Sequence, residues 1–93
     1  MVAYNDLVAL GLEAGMLELG RVCPDDISLV GIDDIDLAGA VTPGLTTVQM
    51  PIERSGALGV DLLLQSIAGT TIGEVATLAS QLIVRASTAA PRH

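Results

Sequence analysis

The sequence predicts an α/β fold built on a parallel sheet, and two observations carry that prediction. Apolar residues make up 51% of the 93-residue chain and are mostly Leu, Val, Ile and Ala, with one Tyr and neither Phe nor Trp. Aliphatic side chains of this kind suit helices layered on a sheet. The chain also alternates segments of helical period with short continuous apolar runs, which are typical of strands buried on both faces of a parallel sheet.

The first helix is predicted over Leu7–Leu19. Asn5 or Asp6 can cap its N-terminus, and Gly20 can end it. Its apolar residues form two stripes at helical spacing, Leu7, Leu10, Ala14 and Leu17 on one and Val8, Leu12, Gly15 and Leu19 on the other. A helix that is apolar around most of its circumference is buried on more than one side, so we expect one side to cover a sheet and the other to meet a partner.

Two short strands are predicted in the middle of the chain. The first, Ile27–Ile32, follows a turn that begins at Pro24. Acidic residues come next, then a short helical turn at Leu37–Ala40 and a break at Thr42–Gly44. The second strand is the β-favouring segment Leu45–Val48.

Pro51 opens a second predicted helix at Ile52–Ile67. A loop is predicted at Gly69–Gly73, and Val75–Ala86 is expected to be extended. This order lacks the strand that a parallel sheet needs before its first helix, and Val2–Tyr4 resembles the stump of one. We therefore expect the chain to begin in the middle of a domain, so that residues 1–93 are an incomplete part of it.

Charge and composition exclude several functions. Four basic residues, none of them Lys, stand against eleven acidic ones and give a net charge of −7, which repels a phosphate backbone. The single cysteine, Cys23, cannot form an intramolecular disulfide and fits a reducing compartment. No apolar run reaches the roughly 18–20 residues that a membrane span needs, and the N-terminus lacks the basic region of a secretion signal. We expect these residues to bind neither nucleic acid nor membrane.

Polar residues follow two predicted strands, at the places where ligands bind in open parallel sheets. Asn5 and Asp6 follow the stump strand, and Asp33 and Asp34 follow the strand that ends at Ile32. An amide and a carboxylate at adjacent strand ends suit the vicinal hydroxyls of a sugar. The alternatives are that Asn5 only caps the helix and that Asp33 and Asp34 only form a turn and caps.

No catalytic residue, metal site or cofactor is predicted. Asp34 and Asp36 after an apolar strand share a pattern with haloacid-dehalogenase phosphotransferases, but that pattern needs Thr or Val where Ala38 stands and a Lys, which the chain lacks. His93 is the only His, which excludes a zinc cluster and a His-based triad. No glycine-rich stretch has the spacing of a phosphate-binding or dinucleotide-binding loop. We therefore expect a protein that is not an enzyme.

Several ordered sequence blocks resemble one family of regulators. They are NDLVALG at Asn5–Gly11, GRVCPDDISLVGIDD at Gly20–Asp34, TPGLTTV at Thr42–Val48 and VRAST at Val84–Thr88. Together they resemble the C-terminal part of the lactose/galactose-repressor (LacI/GalR) family of bacterial transcription regulators, over essentially the whole chain. The resemblance implies a partial three-layer parallel-sheet subdomain of the type I periplasmic-binding-protein-like fold.

The resemblance also implies a ligand site. Members of the family bind a sugar or a nucleobase-type metabolite between two subdomains, partly through residues that match Asn5 and Asp33. Asp34 and Asp36 are then expected to be structural. A further polar contact of some members falls on Met50, so the identity of the effector stays open.

The family's dimer interface uses the first helix and the segment after the paired aspartates, which implies a homodimer here. The matching residues are Leu7, Leu10, Leu17, Ala38 and Val41. The family's DNA-binding domain, hinge helix and N-terminal subdomain have no counterpart in this sequence. The expected function is therefore the effector-sensing and dimerisation portion of a cytoplasmic, sugar-responsive regulator, which would reach DNA only through the DNA-binding domain. The alternatives are part of a periplasmic sugar-binding transport protein and a module that only dimerises.

Overall fold

The computed structural model describes residues 1–69 and 77–91. The chain forms two compact units, one made of Met1–Met50 with Gln81–His93 and the other of Pro51–Ser80. Among the described residues, the first unit contains two helices and a sheet, and the second contains one helix. In chain order the elements are α1 (Asp6–Glu18), β1 (Val30–Ile32), α2 (Asp36–Ala40), β2 (Thr46–Gln49), α3 (Ile52–Ile67) and β3 (Gln81–Ile83).

The sheet of the first unit has three strands in the order β1-β2-β3. β1 and β2 are parallel, with Val30 beside Thr46, as the sequence predicts. Val2 adds an isolated parallel bridge to Val30, so the predicted stump pairs like a strand. β3, however, runs antiparallel to β2, with Gln81 beside Gln49, so the sheet is mixed. The apolar pattern of a strand does not encode its direction. The direction depends on the end of the sheet from which the chain enters that strand.

The predicted element positions agree closely for the helices and less well for the strands. α3 covers the predicted Ile52–Ile67, and α1 is displaced from its prediction by one residue. The predicted first strand shrinks to Val30–Ile32, because its earlier residues bond to the C-terminal segment, for instance through Leu29 N–H to Ser87 O at 2.9 Å. β3 occupies only a short part of the predicted extended segment. Residues 70–76, which include most of the predicted loop, lie outside the described residues, as does His93.

The core of the first unit is made of small and medium apolar side chains. The buried ones are Ala3, Ala9, Cys23, Leu29, Ala38 and Leu45, and Leu10, Met16 and Ile35 pack against them. Within α1 the buried residues are Asp6 and Ala9, so neither predicted apolar stripe as a whole faces the core. The reason is the close approach of α1 to Gly31 of β1, where an added Cβ would lie 3.1 Å from the Asp6 Cα.

Ser87 joins the N-terminal sides of the two parallel strands. Its buried hydroxyl donates to Leu29 O at 2.5 Å and accepts from Thr46 N–H at 2.8 Å. Its carbonyl oxygen accepts from Leu29 N–H. The segment after β3 thus satisfies backbone groups that the short strands leave unpaired.

The second unit is described through α3. The helix starts after Pro51, whose carbonyl accepts from Ser55 N–H at 2.8 Å, and it ends before Gly69, which has a φ of 83°. Its large exposed apolar residues are Ile52, Val60, Leu63, Leu64 and Ile67. Across the described ranges, no helix has the length and apolar character needed to cross a bilayer.

Candidate functional site

The candidate site is organised by the buried carboxylate of Asp6, the first residue of α1. Its two oxygens accept hydrogen bonds from the Thr47 hydroxyl at 2.6 Å and from Ile35 N–H at 2.9 Å. Gly31 of β1 lies against it, and a Cβ at that position would overlap Asp6 Oδ1. The carboxylate therefore joins the start of α1 to β2 and to the turn that follows β1.

That turn contains two consecutive residues with positive φ, Asp33 at 120° and Asp34 at 56°. Positive φ is uncommon for residues other than Gly, although Asp is among the types that adopt it. Two donors fix the turn against β2, Asp33 N–H to Val48 O at 2.9 Å and Asp34 N–H to the Thr47 hydroxyl at 3.3 Å. Surrounding contacts thus hold a backbone conformation that costs energy, a feature that is concentrated at ligand sites.

The carboxylate of Asp34 is fully engaged within the chain. Arg85 Nη2 forms an ion pair with Asp34 Oδ1 at 2.8 Å, and Gln49 Nε2 donates to Asp34 Oδ2 at 3.0 Å. Arg85 also donates through Nη1 to Leu45 O at 2.9 Å. These contacts match the structural role predicted for Asp34.

Asp33 and Asn5 retain polar atoms that the chain does not use. The half-buried Asp33 carboxylate accepts no hydrogen bond from any residue in the described ranges. Asn5, also half-buried, caps α1 by accepting from Val8 N–H at 2.9 Å through Oδ1. Its side-chain NH₂ group has no partner within the described part of the chain. Capping is therefore one role of Asn5, and it leaves two donors free.

The parallel register brings Asn5 and Asp33 to one edge of the sheet. Val2 pairs with Val30, and the two polar residues each follow their member of that pair by three positions. Ligands of open parallel sheets bind at this edge, beyond the carboxyl ends of the strands. An amide that donates beside a carboxylate that accepts can engage neighbouring hydroxyls of a polyhydroxylated ligand.

The remaining sequence predictions near the site concern Met50, Asp36 and metal binding. Met50 is exposed directly after β2, beyond Gln49. Asp36 is exposed in the first turn of α2. Within residues 1–69 and 77–91, no group of three His, Cys, Asp or Glu side chains is arranged to hold a metal ion.

The residues predicted for a dimer interface divide into three groups. Leu7 and Leu17 on α1 are exposed, at 64% and 58% of their surface. Leu10 and Val41 are half-buried and keep part of their surface free. Ala38 is completely buried in the core, because it fills the space between α2 and the strands. Its side chain has no surface to offer a second copy, so the prediction of Ala38 as an interface residue is wrong.

Sequence reasoning missed the residues that support the site. It considered Asp6 as an alternative cap and as one of the polar residues that follow the stump strand, but not as a buried anchor, and it quoted Thr47 and Arg85 only within the resembling blocks. One available signal was Gly31, because an isolated Gly inside a strand indicates that another group approaches the backbone closely. No local pattern indicates that the approaching group is the carboxylate of Asp6, 25 positions earlier in the chain.

The fold agrees with what comparison with known proteins finds. The family model described as "periplasmic binding protein-like domain" matches residues 1–88. The lactose operon repressor of Rhizobium radiobacter is 37% identical over 91 residues, which cover 98% of this chain and 80% of that protein. The class of protein is thus a periplasmic-binding-protein-like ligand-binding domain.

Two solved structures show the same likeness. A LacI family transcriptional regulator from Enterococcus faecium with bound ribose has a TM-score of 0.84 and 37% identity, covering 95% of this chain and 33% of that one. The lac repressor dimer bound to operator and an anti-inducer has a TM-score of 0.89 and 34% identity, covering 97% of this chain and 32% of that one. The chain thus spans about a third of the length of either structure. It belongs to the LacI family, and its residues correspond to part of the family's effector-binding domain.

Proposed function

We propose that this chain is the effector-sensing and dimerising portion of a sugar-responsive bacterial transcription regulator. The observation that carries the proposal is the Asp33 carboxylate, which no residue in the described ranges engages and which a positive-φ turn holds at the same sheet edge as Asn5. The relatives named above support it, since they are repressors or regulators and one of them holds ribose. They also favour a regulator over a transport protein and over an enzyme.

In this proposal, residues 1–93 form the C-terminal part of the effector-binding domain of a larger protein. Effector binding at Asn5 and Asp33 shifts the population of two arrangements of that domain and so the spacing of two DNA-binding heads. DNA contact belongs to the DNA-binding domain, since the charge of −7 opposes it here. A regulator of this kind acts in the cytoplasm, where the chromosome is.

The proposed dimer places a second copy on the apolar surface of α1 and the residues after α2. The proposed interface comprises Leu7, Leu10, Leu17 and Val41, with Ala38 left out. Exposed Leu side chains on one helix are the kind of surface that oligomers bury. The related lac repressor was solved as a dimer, which supports the same assembly here.

The ligand half of the proposal is tested by NMR titration of the ¹⁵N-labelled chain. The probes are ribose, galactose, lactose and hypoxanthine, each raised to millimolar concentrations. We expect one of them to shift the amide resonances of Asn5, Asp33 and their neighbours. Asp33→Asn keeps the tolerance for positive φ but loses the charge, and we expect it to weaken binding about tenfold, the difference between a charged and a neutral acceptor.

Asp36→Asn is the matched control, because Asp36 is an exposed residue of the same type three positions away. It should leave the titration unchanged. Shifts that survive Asp33→Asn at full size would show that the effector assignment is wrong.

A further inference from the structure

A groove runs between α1 and the residues that follow α2, within the first unit. It has a volume of about 330 Å³. The residues that line it are Leu10, Glu13, Ala14 and Leu17 from α1, with Val41 and Thr42 from the other side. Three of these six belong to the interface that the resemblance predicts, so the groove is continuous with the proposed dimer surface.

Glu13 is an acidic residue in a groove whose other lining residues are uncharged. Its Oε2 atom is buried and has no hydrogen-bond partner among the residues that the structure describes. It follows the buried Ala9 by four positions, so it lies on the core-facing side of α1. Burial raises the pKa of the Glu13 carboxyl. An unpaired carboxylate away from water is costly unless it finds a donor or takes up a proton.

Among the residues that the structure describes, no basic side chain lines the groove beside Glu13. None of the other groove-lining residues is charged, and the remaining acidic residues of α1 are Asp6 and Glu18. A titratable neighbour is Cys23, whose thiol pKa is raised first by burial and then by the charge of Glu13, while a backbone hydrogen bond at Leu29 and the amino terminus act in the opposite sense. Beyond the helix, Arg21 is exposed.

A second copy of the chain makes this arrangement symmetric. In a two-fold interface the same patch lies on both sides, so the groove of each copy, with its Glu13, is covered by the other copy and loses access to water. Removing the remaining water from a carboxylate that has no hydrogen-bond donor beside it penalises its ionised form, so closing the groove favours the uptake of a proton by Glu13. The chain has no Lys at all, which leaves few cations to replace that proton.

We propose that the groove between α1 and residues Val41 and Thr42 receives a second copy of this chain, and that the copies close over it only when the Glu13 carboxyl has taken up a proton. Self-association therefore takes up protons, and the regulator's dimer weakens as the pH rises. This inference rests on the proposed dimer, and it adds the chemical condition under which that dimer forms.

The test is sedimentation equilibrium of the chain across a pH series above its isoelectric point, for wild type, Glu13→Gln and Glu18→Gln. We expect the wild-type Kd to rise by up to about tenfold per pH unit for each proton bound. Glu13→Gln keeps the shape and can hydrogen-bond without a proton, so its dimer should be tight with an almost flat pH dependence. Glu18→Gln removes an exposed charge from the same helix and should retain the wild-type slope.

Each outcome separates the inference from the function on which it rests. A wild-type dimer whose Kd does not change with pH would overturn the proton linkage and leave the dimer standing. A chain that is monomeric at every pH would overturn both. A monomeric Glu13→Gln beside a dimeric wild type would mean that ionised Glu13 binds a cationic group of the partner, which also overturns the inference.

A second measurement does not depend on any variant. If dimerisation takes up a proton at Glu13, dimerisation must raise the titration midpoint of the Glu13 carboxyl by the same coupling free energy. We expect the ¹³C resonance of that carboxyl to titrate at higher pH as the protein concentration increases. A midpoint that is independent of concentration in a sample that dimerises would overturn the proposal.

Discussion

Replacing Asp6 by Ala tests whether a single buried carboxylate holds the candidate site together. The substitution removes the acceptor of two hydrogen bonds, from the Thr47 hydroxyl at 2.6 Å and from Ile35 N–H at 2.9 Å. It also leaves empty space against Gly31. The start of α1, β2 and the turn after β1 would then lose their common contact.

The magnitude follows from the two donors that are left behind. An unsatisfied buried donor costs about 1–3 kcal/mol, which gives roughly 2–6 kcal/mol for the pair. We expect about 3 kcal/mol, because the Thr47 hydroxyl can rotate towards another acceptor whereas the backbone N–H of Ile35 cannot. A chain of 93 residues has a total stability of roughly 5–14 kcal/mol, so this loss is a large fraction of it.

The assay is urea unfolding followed by circular dichroism. With a slope of about 1 kcal/mol per molar urea, a loss of 3 kcal/mol lowers the midpoint by roughly 3 M. Asp36→Ala is the control, since Asp36 is exposed and its replacement should cost within about 0.5 kcal/mol. If Asp6→Ala shifts the midpoint no more than this control does, the carboxylate is not an anchor and the account of the site fails.

Three further predictions concern other parts of the first unit. Ser87→Ala removes both hydrogen bonds of a buried hydroxyl and should cost about 2–3 kcal/mol, whereas Ser66→Ala on the exposed surface of α3 should be nearly neutral in the same urea assay. Gly31→Ala places a Cβ against the buried carboxylate of Asp6 and should cost about 1–3 kcal/mol. Gly11→Ala has open space around its Cβ and should stabilise α1 by about 0.5–1 kcal/mol. Unfolding midpoints that rank the two variants the other way would contradict the packing described for β1. Burial raises the pKa of Glu13 above its ordinary 4.5, so the folded chain retains that proton to higher pH than the unfolded chain, and stability should fall as the pH rises through the raised value. Glu13→Gln should flatten this part of a pH-dependent unfolding series. Equal slopes for the variant and the wild type would count against the burial of Glu13.

The sequence predicted the helices and the location of the polar residues, and the structure shows the physical basis of both. α3 follows from a Pro at the helix start and helical spacing of apolar residues, which are local features. Asn5 as a cap is local too, because its bond reaches only to Val8. The predicted edge position of Asn5 and Asp33 needed only the rule that ligands bind beyond the carboxyl ends of parallel strands.

The orientation of α1 was predicted less well, for a physical reason. Counting apolar residues favoured two Leu-rich stripes, but the residues that turn inwards are Asp6 and Ala9. Because α1 lies close to the backbone of β1 at Gly31, its inward-facing positions hold a small side chain and a hydrogen-bond acceptor instead of large apolar side chains. Hydropathy records the preference of a side chain for leaving water, and it says nothing about how near the opposing backbone lies.

What the sequence by itself determined is therefore the content of local interactions: the helices, their caps, the strand segments and the acidic turn after β1. Only the tertiary structure decided the antiparallel direction of β3, the partners of Asp6, Asp34 and Ser87, and the fact that no described residue donates to the Asp33 carboxylate. These depend on contacts between residues that are tens of positions apart in the chain. Such contacts form only when the folded sheet brings the residues together, so no short window of the sequence contains them.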